Sequence, residues 1–347
     1  MIMKLNIEGK SIWQIGSGDS SRDYSNVFLD FGVALVGPGD PGDGRNPETE
    51  NYYKANPDIK NWGKILSQVK KGNWIVLRSG QRIIKAVGEV TSDYDYSEIF
   101  RDTDGWDLQH FVKVDWYLPK KEISFDKSVL VRSTLTGCYN KLVLERIKSE
   151  EFEKHPAIAD LKKLIVPKEI TIDDISQSLI DFGVRIQDAE NIASTIERII
   201  KLTNWYHQKD PYVLEHEIRT FLVVPLLISL GWSEQKLKIE YNKIDVAVFK
   251  KPFEGKYKTD PQIIIETKRF HDGLSFTDEQ AKQYSKDYPT CKMLITTNGF
   301  RYKIFEKQND KFIETAYLFL SKLREHHFLN PKIGGAVKAL LKMSNFN

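Results

Sequence analysis

The sequence predicts a multidomain α+β chain with a strand-rich front, a helical middle and a mixed α/β back. Three observations carry this. Residues 11 to about 145 hold short apolar or alternating runs broken by glycine, among them "SIWQIGSGDSSRDY", "VFLDFGVALVG", "GNWIVLRSG", "QRIIKAVGEVTSDY" and "FVKVDWYL", a spacing expected of a small barrel or strongly bent sheet. From about 142 to 207 the apolar residues recur at three and four, as in a helix. From 211 the order becomes helix, strand, strand, helix, strand, that of a layered α/β fold.

Taken in order, residues 1–145 form the expected barrel, with the more helical "NPDIKNWGKILSQVKKG" set between strands. Residues 146–210 are expected to be a helical connector, with Thr171 and Asp188 as N-caps and with Pro156, Pro167 and "HQKDP" at its joints. Residues 211–347 form the third part. Its leading helix, "YVLEHEIRTFLVVPLLISLGW", ends at Gly231, and Pro225 inside it implies a kink or two consecutive helices. Strands "LKIEYNKIDVAVFK" and "QIIIETKRF" follow, then helix "TDEQAKQYSKDY", strands "CKMLITTNG" and "RYKIFEK", and a helical tail.

Composition excludes several classes. At 347 residues with 41% hydrophobic and 29% charged side chains, the chain can bury two or three cores and is not a disordered polyelectrolyte. No apolar run approaches the roughly 20 residues of a membrane span, so no membrane partner is expected. The opening "MIMKLNIEGK" lacks the apolar core of a secretory leader, and Cys138 and Cys291 fit no metal-ligand spacing; a reducing, cytoplasmic setting is expected. Net charge is +3. It is uneven: residues 211–347 carry 22 basic and 16 acidic side chains, against 19 and 20 in residues 1–145. A polyanion would lie on the last third.

The chemistry concentrates there. Side chains alternate along a strand, so Glu266 and Lys268 in "QIIIETKRF" share a face. A surface ion pair would explain them taken alone. However, Asp245 opens the preceding strand, and the 11-residue connection from Lys250 to Asp260 allows antiparallel pairing that sets the two acids side by side. Magnesium takes oxygen ligands and keeps several waters, so two or three protein ligands suffice. Lys268 could orient or deprotonate a water, or steady developing charge. The Thr267 carbonyl would be an extra ligand.

Asp245, then Glu266-Thr267-Lys268, resembles the PD-(D/E)xK nuclease superfamily. "EHEIRTFLVVPLLISLGW", "EQAKQY" and "LITTNGFRYKIFE" bring it closest to the nuclease domain of type I restriction motor subunits, over about residues 211–310. Ile244 stands where the signature has proline. The resemblance implies a DNA endonuclease with Asp245, Glu266, Lys268 and Gln280 as catalytic residues. It further implies magnesium on Glu215, Asp245, Glu266 and Thr267, with Glu217 competing for the place of Glu215. His216 and His271 read as bystanders or phosphate contacts, and His326-His327 as a surface pair.

The front carries Trp13, Trp62, Trp74, Trp106 and Trp116, five of seven tryptophans. Most would fill core, but aromatic cages also hold flipped or single-stranded bases. "WQIGSGDSSRDY", "KKGNWIVLRSG", "AVGEV" and "WDLQHFVKVDWY" resemble the PUA-like EVE/YTH group, with Asn73 replacing the usual aspartate. That resemblance implies a reader of modified bases. Trp13, Ser17, Tyr94 and Trp106 are the candidate cage, with Asp19 or Asp43 for a base edge. The glycine-rich "GPGDPGDGR" at 37–45 lacks the GK[ST] of a phosphate loop and is expected to be a mobile surface loop.

Reader, connector and nuclease together read as a magnesium-dependent restriction endonuclease of prokaryotic defence that cuts modified DNA, acting as a homodimer because one site cuts one strand. A nuclease for RNA, a restriction enzyme for unmodified DNA and a silent binding platform are the alternatives.

Overall fold

Pairing among the front strands centres on one long strand that touches four others. In the computed structural model the chain falls into two compact units, Met1–Val166 and Pro167–Asn347. Every residue is described except 1, 20–21, 40, 104–105, 159, 210–212, 256–259, 271–273, 275–282, 285 and 347, and only the backbone of 19, 22 and 162.

The first unit runs β1 (Ile2–Met3), β2 (Ile12–Gly16), β3 (Gly18–Asp19), β4 (Arg22–Asp23), α1 (Ser25–Phe31), β5 (Val33–Val36), α2 (Pro47–Ala55) and α3 (Trp62–Leu66). It continues with β6 (Trp74–Ser79), β7 (Ile83–Val90), β8 (Asp95–Tyr96), β9 (His110–Pro119), β10 (Ile123–Ser124), β11 (Leu135–Gly137), α4 (Lys141–Ser149) and β12 (Phe152–Lys154). Strand order is β1-β12-β9-β7-β6-β2-β11, with β5 and β8 also on β9 and β10 on β7. Among the described residues no ladder joins β1 to β11, so the expected barrel is instead an open, branched ten-stranded sheet. The sheet is mostly antiparallel; β2 runs parallel to β6, and a register shift at Leu77/Arg78 bends the β6–β7 hairpin.

Tryptophans divide by role. Trp116 is buried on β9, its indole N–H shared between the carbonyls of Phe28 (3.0 Å) and Val33 (3.1 Å). Trp74 packs in a core with Val76, Val87, Phe152 and, from α4, Val143 and Ile147. The stretch 146–210 is thus divided between the units: the end of α4 and β12 complete the first core, and the helices after Pro167 join the second.

The second unit begins with α5 (Ile172–Asp181) and α6 (Ile186–Lys209). Thr171 caps α5 as the sequence predicts: its Oγ1 accepts from the amide of Asp174 (3.0 Å), and the Asp174 carboxylate accepts from the Thr171 amide (2.8 Å). Asp188 lies inside the first turn of α6 rather than at a cap. Ala189, Ile192, Ile196, Ile199, Thr203 and Tyr206 form the buried stripe of α6.

The leading helix comprises α7 (Glu215–Ile218), a π turn over Arg219–Val223 and α8 (Val224–Ser229). Pro225 is the cause of the break: without an N–H it cannot satisfy the Phe221 carbonyl, which instead accepts from Arg198 Nη2 of α6 at 3.3 Å. The sheet follows as β13 (Leu237–Tyr241), β14 (Ile244–Val248), β15 (Ile263–Thr267), β16 (Met293–Thr297), β17 (Arg301–Gln308) and β18 (Lys311–Phe319), hydrogen-bonded in that order; α9 (Ala336–Met343) closes the unit. All neighbours are antiparallel except β15 and β16. Val246, Val248, Ile263 and Ile265 join a core with the helices, and Ala247, Phe249, Ile264 and Leu294 one with Tyr288 and Cys291. Both sides of the central strands are therefore covered, which is why "QIIIE" reads as a continuous apolar run.

Candidate functional site

β14 and β15 pair antiparallel with Val246 opposite Ile265 and Ala247 opposite Ile264. One step beyond the ladder, Asp245 stands opposite Glu266. Strand alternation places both on the face of Ala247 and Ile264, and Lys268, two residues on, shares it.

Three donors fix Asp245. Its Oδ2 accepts from the Thr267 amide (2.7 Å) and the Thr267 hydroxyl (2.8 Å), and its Oδ1 from Arg219 Nη1 (2.8 Å). Thr267 thus holds Asp245 through its amide and hydroxyl. Glu266 accepts a short hydrogen bond from the Tyr284 hydroxyl. Burial raises the Glu266 pKa above the ordinary glutamate value; Tyr284 opposes this, Asp245 adds to it, Lys268 opposes it, and Glu215 adds to it. Burial and the Glu266 charge push the Tyr284 phenol well above its usual range.

The two glutamates of the leading helix make different contacts. The Glu217 carboxylate turns back to accept from the Leu214 amide at 2.9 Å, leaving Glu215 as the one whose charge reaches Glu266. Glu215 is half-exposed and lies 4.0 Å from Arg269 Nε. It does not complete a carboxylate cage: among the described residues no three His, Cys, Asp or Glu side chains are grouped closely enough to hold a metal. The donors that do meet, Asp245 and Glu266, are hard oxygens on adjacent strands, and the charge of Asp245 raises the pKa of Glu266. Two such ligands with waters suit magnesium, so the residues present fit that ion.

The "TNG" turn braces this end of the sheet. The Thr297 carbonyl accepts from the Lys268 amide (2.8 Å), and Asn298 Nδ2 donates to the Phe270 carbonyl (3.2 Å). Gly299, at φ +92°, lies against the leading helix; a Cβ there would stand 2.5 Å from Leu222 and 2.8 Å from Ile218. Only glycine meets both demands.

Gln280 and His271 lie outside the described residues. His216 is exposed. The histidine pair is corrected in part: His327 is buried, its Nδ1 accepting from the amides of Leu329 (3.1 Å) and Asn330 (3.2 Å). Sequence reasoning missed Arg219 and gave no role to Tyr284, the last residue of "EQAKQY". Arg219 carried a signal, since it stands four residues after Glu215, the spacing that shares a helical face.

In the first unit a cavity of about 520 Å³ is lined by Tyr24, Phe28, Trp62 and Trp106, with Ser17, Lys60 and Asp107 among its polar groups. Tyr24 and Trp106 pack against each other with ring centroids 5.5 Å apart and planes tilted by 48°. Of the candidate cage, Ser17 and Trp106 line this cavity; Trp13 and Tyr94 do not. Trp13 donates to the Asn73 side chain (3.3 Å), so Asn73 holds an indole. Tyr94 donates to buried His110 Nδ1 at 2.7 Å, since His110 Nε2 must carry the proton given to the Pro38 carbonyl at 2.9 Å. Asp43 belongs to the same network, through Tyr94 and Arg45. Asp19 lies on β3, and its side chain is outside the description.

The glycine-rich loop is also corrected. It is pinned rather than loose: Gly39 donates to the Asp107 carbonyl (3.0 Å), Gly44 to the Tyr94 hydroxyl (3.0 Å), and the Pro38 carbonyl also accepts from Tyr53 (3.2 Å). Gly37 and Pro38 thereby become cavity wall.

Residues 214–319 match the family model of the type I restriction enzyme R protein N terminus. That span holds Glu215, Arg219, Asp245, Glu266, Thr267, Lys268 and the TNG turn, so the back of the chain is related to restriction enzymes, which points to a nuclease. Residues 13–140 match a family model described as a domain of unknown function. No curated protein matches the chain. No helix among the described residues is long and apolar enough to cross a membrane.

Proposed function

We propose that the chain is a magnesium-dependent DNA endonuclease of prokaryotic defence, of the PD-(D/E)xK type, whose front domain is a PUA-like reader of modified bases. The observation that carries the nuclease half is the meeting of Asp245 and Glu266 at the open end of β14 and β15, with Lys268 on the same face, inside the restriction-enzyme-related span. Magnesium held by Asp245 and Glu266 would neutralise charge at the scissile phosphate. Glu266 accepts from Tyr284 and Asp245 from Thr267, so both carboxylates are oriented before substrate arrives. Lys268 orients the attacking water and steadies the charge that develops. Gln280 is proposed for the site from the resemblance alone.

The reader half is supported by the aromatic cavity, whose volume of about 520 Å³ falls in the range of small-ligand sites. A flipped base would stack on Trp106 and Tyr24, with Asp107 and Ser17 at its polar edge. One site cuts one strand, so double-strand cleavage calls for two copies of the chain.

Matched DNAs, unmodified, 5-methylcytosine-containing and hydroxymethylcytosine-containing, with single-stranded RNA alongside, test both halves under magnesium. Cleavage confined to modified DNA is the expected result. Equal cleavage of all DNAs would leave the nuclease and remove the reader; cleavage of RNA alone would move the substrate class.

A further inference from the structure

Arg219 is nine-tenths buried, and the nuclease reading as built from Asp245, Glu266 and Lys268 gives it no part. Two carboxylates hold it. Nη1 donates to Asp245 Oδ1 at 2.8 Å, and Nη2 lies 3.3 Å from Glu240 Oε1. Its Nε finds no acceptor among the described residues.

Arg219 opens the π turn of the leading helix, and single π turns inside α-helices recur at functional positions. The register that pairs Ile239 with Val246 and Tyr241 with Ile244 sets Glu240 across from Asp245. Glu240 occupies that place with φ +55°, just before the tight turn whose residues Asn242 and Lys243 also have positive φ. Arg219 is the contact that Glu240 makes from there. The row across three strands is therefore Glu240, Asp245 and Glu266, with the guanidinium tying the first two together.

Resting on the nuclease reading, we infer that Arg219 is a positioning residue of the site. It holds Asp245 Oδ1 from one side while Thr267 holds Oδ2 from the other, so the carboxylate presents its remaining lone pairs toward Glu266 in one orientation. Glu240 is its anchor. At 9% side-chain exposure Arg219 is too buried to meet DNA phosphates, so its effect falls on ion affinity and turnover and leaves substrate affinity unchanged.

The test uses the full chain as wild type, Arg219→Gln, Arg219→Lys and Glu240→Gln. Calcium binding without DNA is measured by calorimetry, and kcat and KM under magnesium are measured separately. Outer partners of metal ligands typically account for about 10–100-fold in affinity or activity. Arg219→Gln is expected to weaken calcium binding and lower kcat by that factor with KM for DNA unchanged, and Arg219→Lys to recover part of both. Should Arg219→Gln fail to fold, Glu240→Gln, changed at an exposed side chain, carries the test with a several-fold loss of calcium affinity. Lower thermal stability with unchanged calcium affinity and kcat would reduce Arg219 to a structural ion pair and overturn the inference, and a raised KM at constant kcat would make it a DNA contact. A wild type that neither binds calcium nor cuts DNA would remove the nuclease reading itself, whereas an active wild type with indifferent variants removes only the role of Arg219.

Discussion

Replacing Tyr284 by Phe removes one atom from the site, and its effect can be worked from the structure. The Tyr284 hydroxyl donates to Glu266, a carboxylate whose pKa is already raised by burial and by the Asp245 charge. A hydrogen bond to a charged group contributes roughly 1.5–3 kcal/mol, and about 1.36 kcal/mol corresponds to one pKa unit. Loss of the hydroxyl should therefore raise the Glu266 pKa further, by about one to two units. The chemistry needs Glu266 ionised, so activity is present above its pKa and lost as pH falls through it. The acid limb of the pH–rate profile should move to higher pH by that amount, with the alkaline plateau retained. The assay is single-turnover DNA cleavage at fixed, subsaturating magnesium from pH 5 to 9, since saturating metal would compress the shift. An unmoved acid limb would show that the Tyr284–Glu266 contact has no part in setting the charge of the site, and a uniform loss at every pH would assign Tyr284 to packing.

Other residues give separate tests. Gly299→Ala should destabilise the C-terminal unit by about 2–4 kcal/mol, combining left-handed strain with overpacking against Leu222, read as a shift in urea midpoint; an unchanged midpoint would refute the close approach. Lys342 donates to Glu306, whose pKa, though burial pushes it up, is held below the ordinary glutamate value mainly by that contact. A depressed acid contributes stability above its unfolded pKa and loses it as pH falls through the folded one. Lys342→Met should thus cost up to about 1 kcal/mol at pH 7 and nothing near pH 2; a difference that persists in acid would contradict the pairing. Trp106→Ala should weaken binding of modified DNA by about 1–3 kcal/mol if a base stacks there, seen in fluorescence anisotropy, while leaving cleavage at saturating DNA intact.

Much of the candidate site was legible because it is written in local periodicities. Alternation along "IIIETK" placed Glu266 and Lys268 on one face, and the length of the intervening connection allowed the antiparallel ladder that sets Asp245 opposite Glu266. Pro225 foretold a break in the leading helix, though not its form, because the π turn also depends on Arg198 reaching the Phe221 carbonyl from α6. What stayed hidden was set by contacts distant in sequence. Whether an indole faces a cavity or fills a core depends on pairings such as β2 beside β6, which no spacing announces. Trp116 and Trp106 lie ten residues apart and have opposite roles for that reason. Tyr94 was taken for a cage wall because it is aromatic, but His110 and the glycine-rich loop claim its hydroxyl. Arg219 and Glu240 become part of the site only when the helix and two strands converge on Asp245.

The claim at the centre is that Asp245 and Glu266 form a hydrolytic site. Plasmid nicking under magnesium by wild type and Glu266→Gln, with DNA binding measured in the same samples, tests it most directly. The expected result is cleavage by the wild type and its loss by at least about 10²-fold in the variant, with binding unchanged. A variant that cuts as fast as wild type would place the chemistry elsewhere, and a wild type that binds DNA without cutting it would make the fold a binding platform.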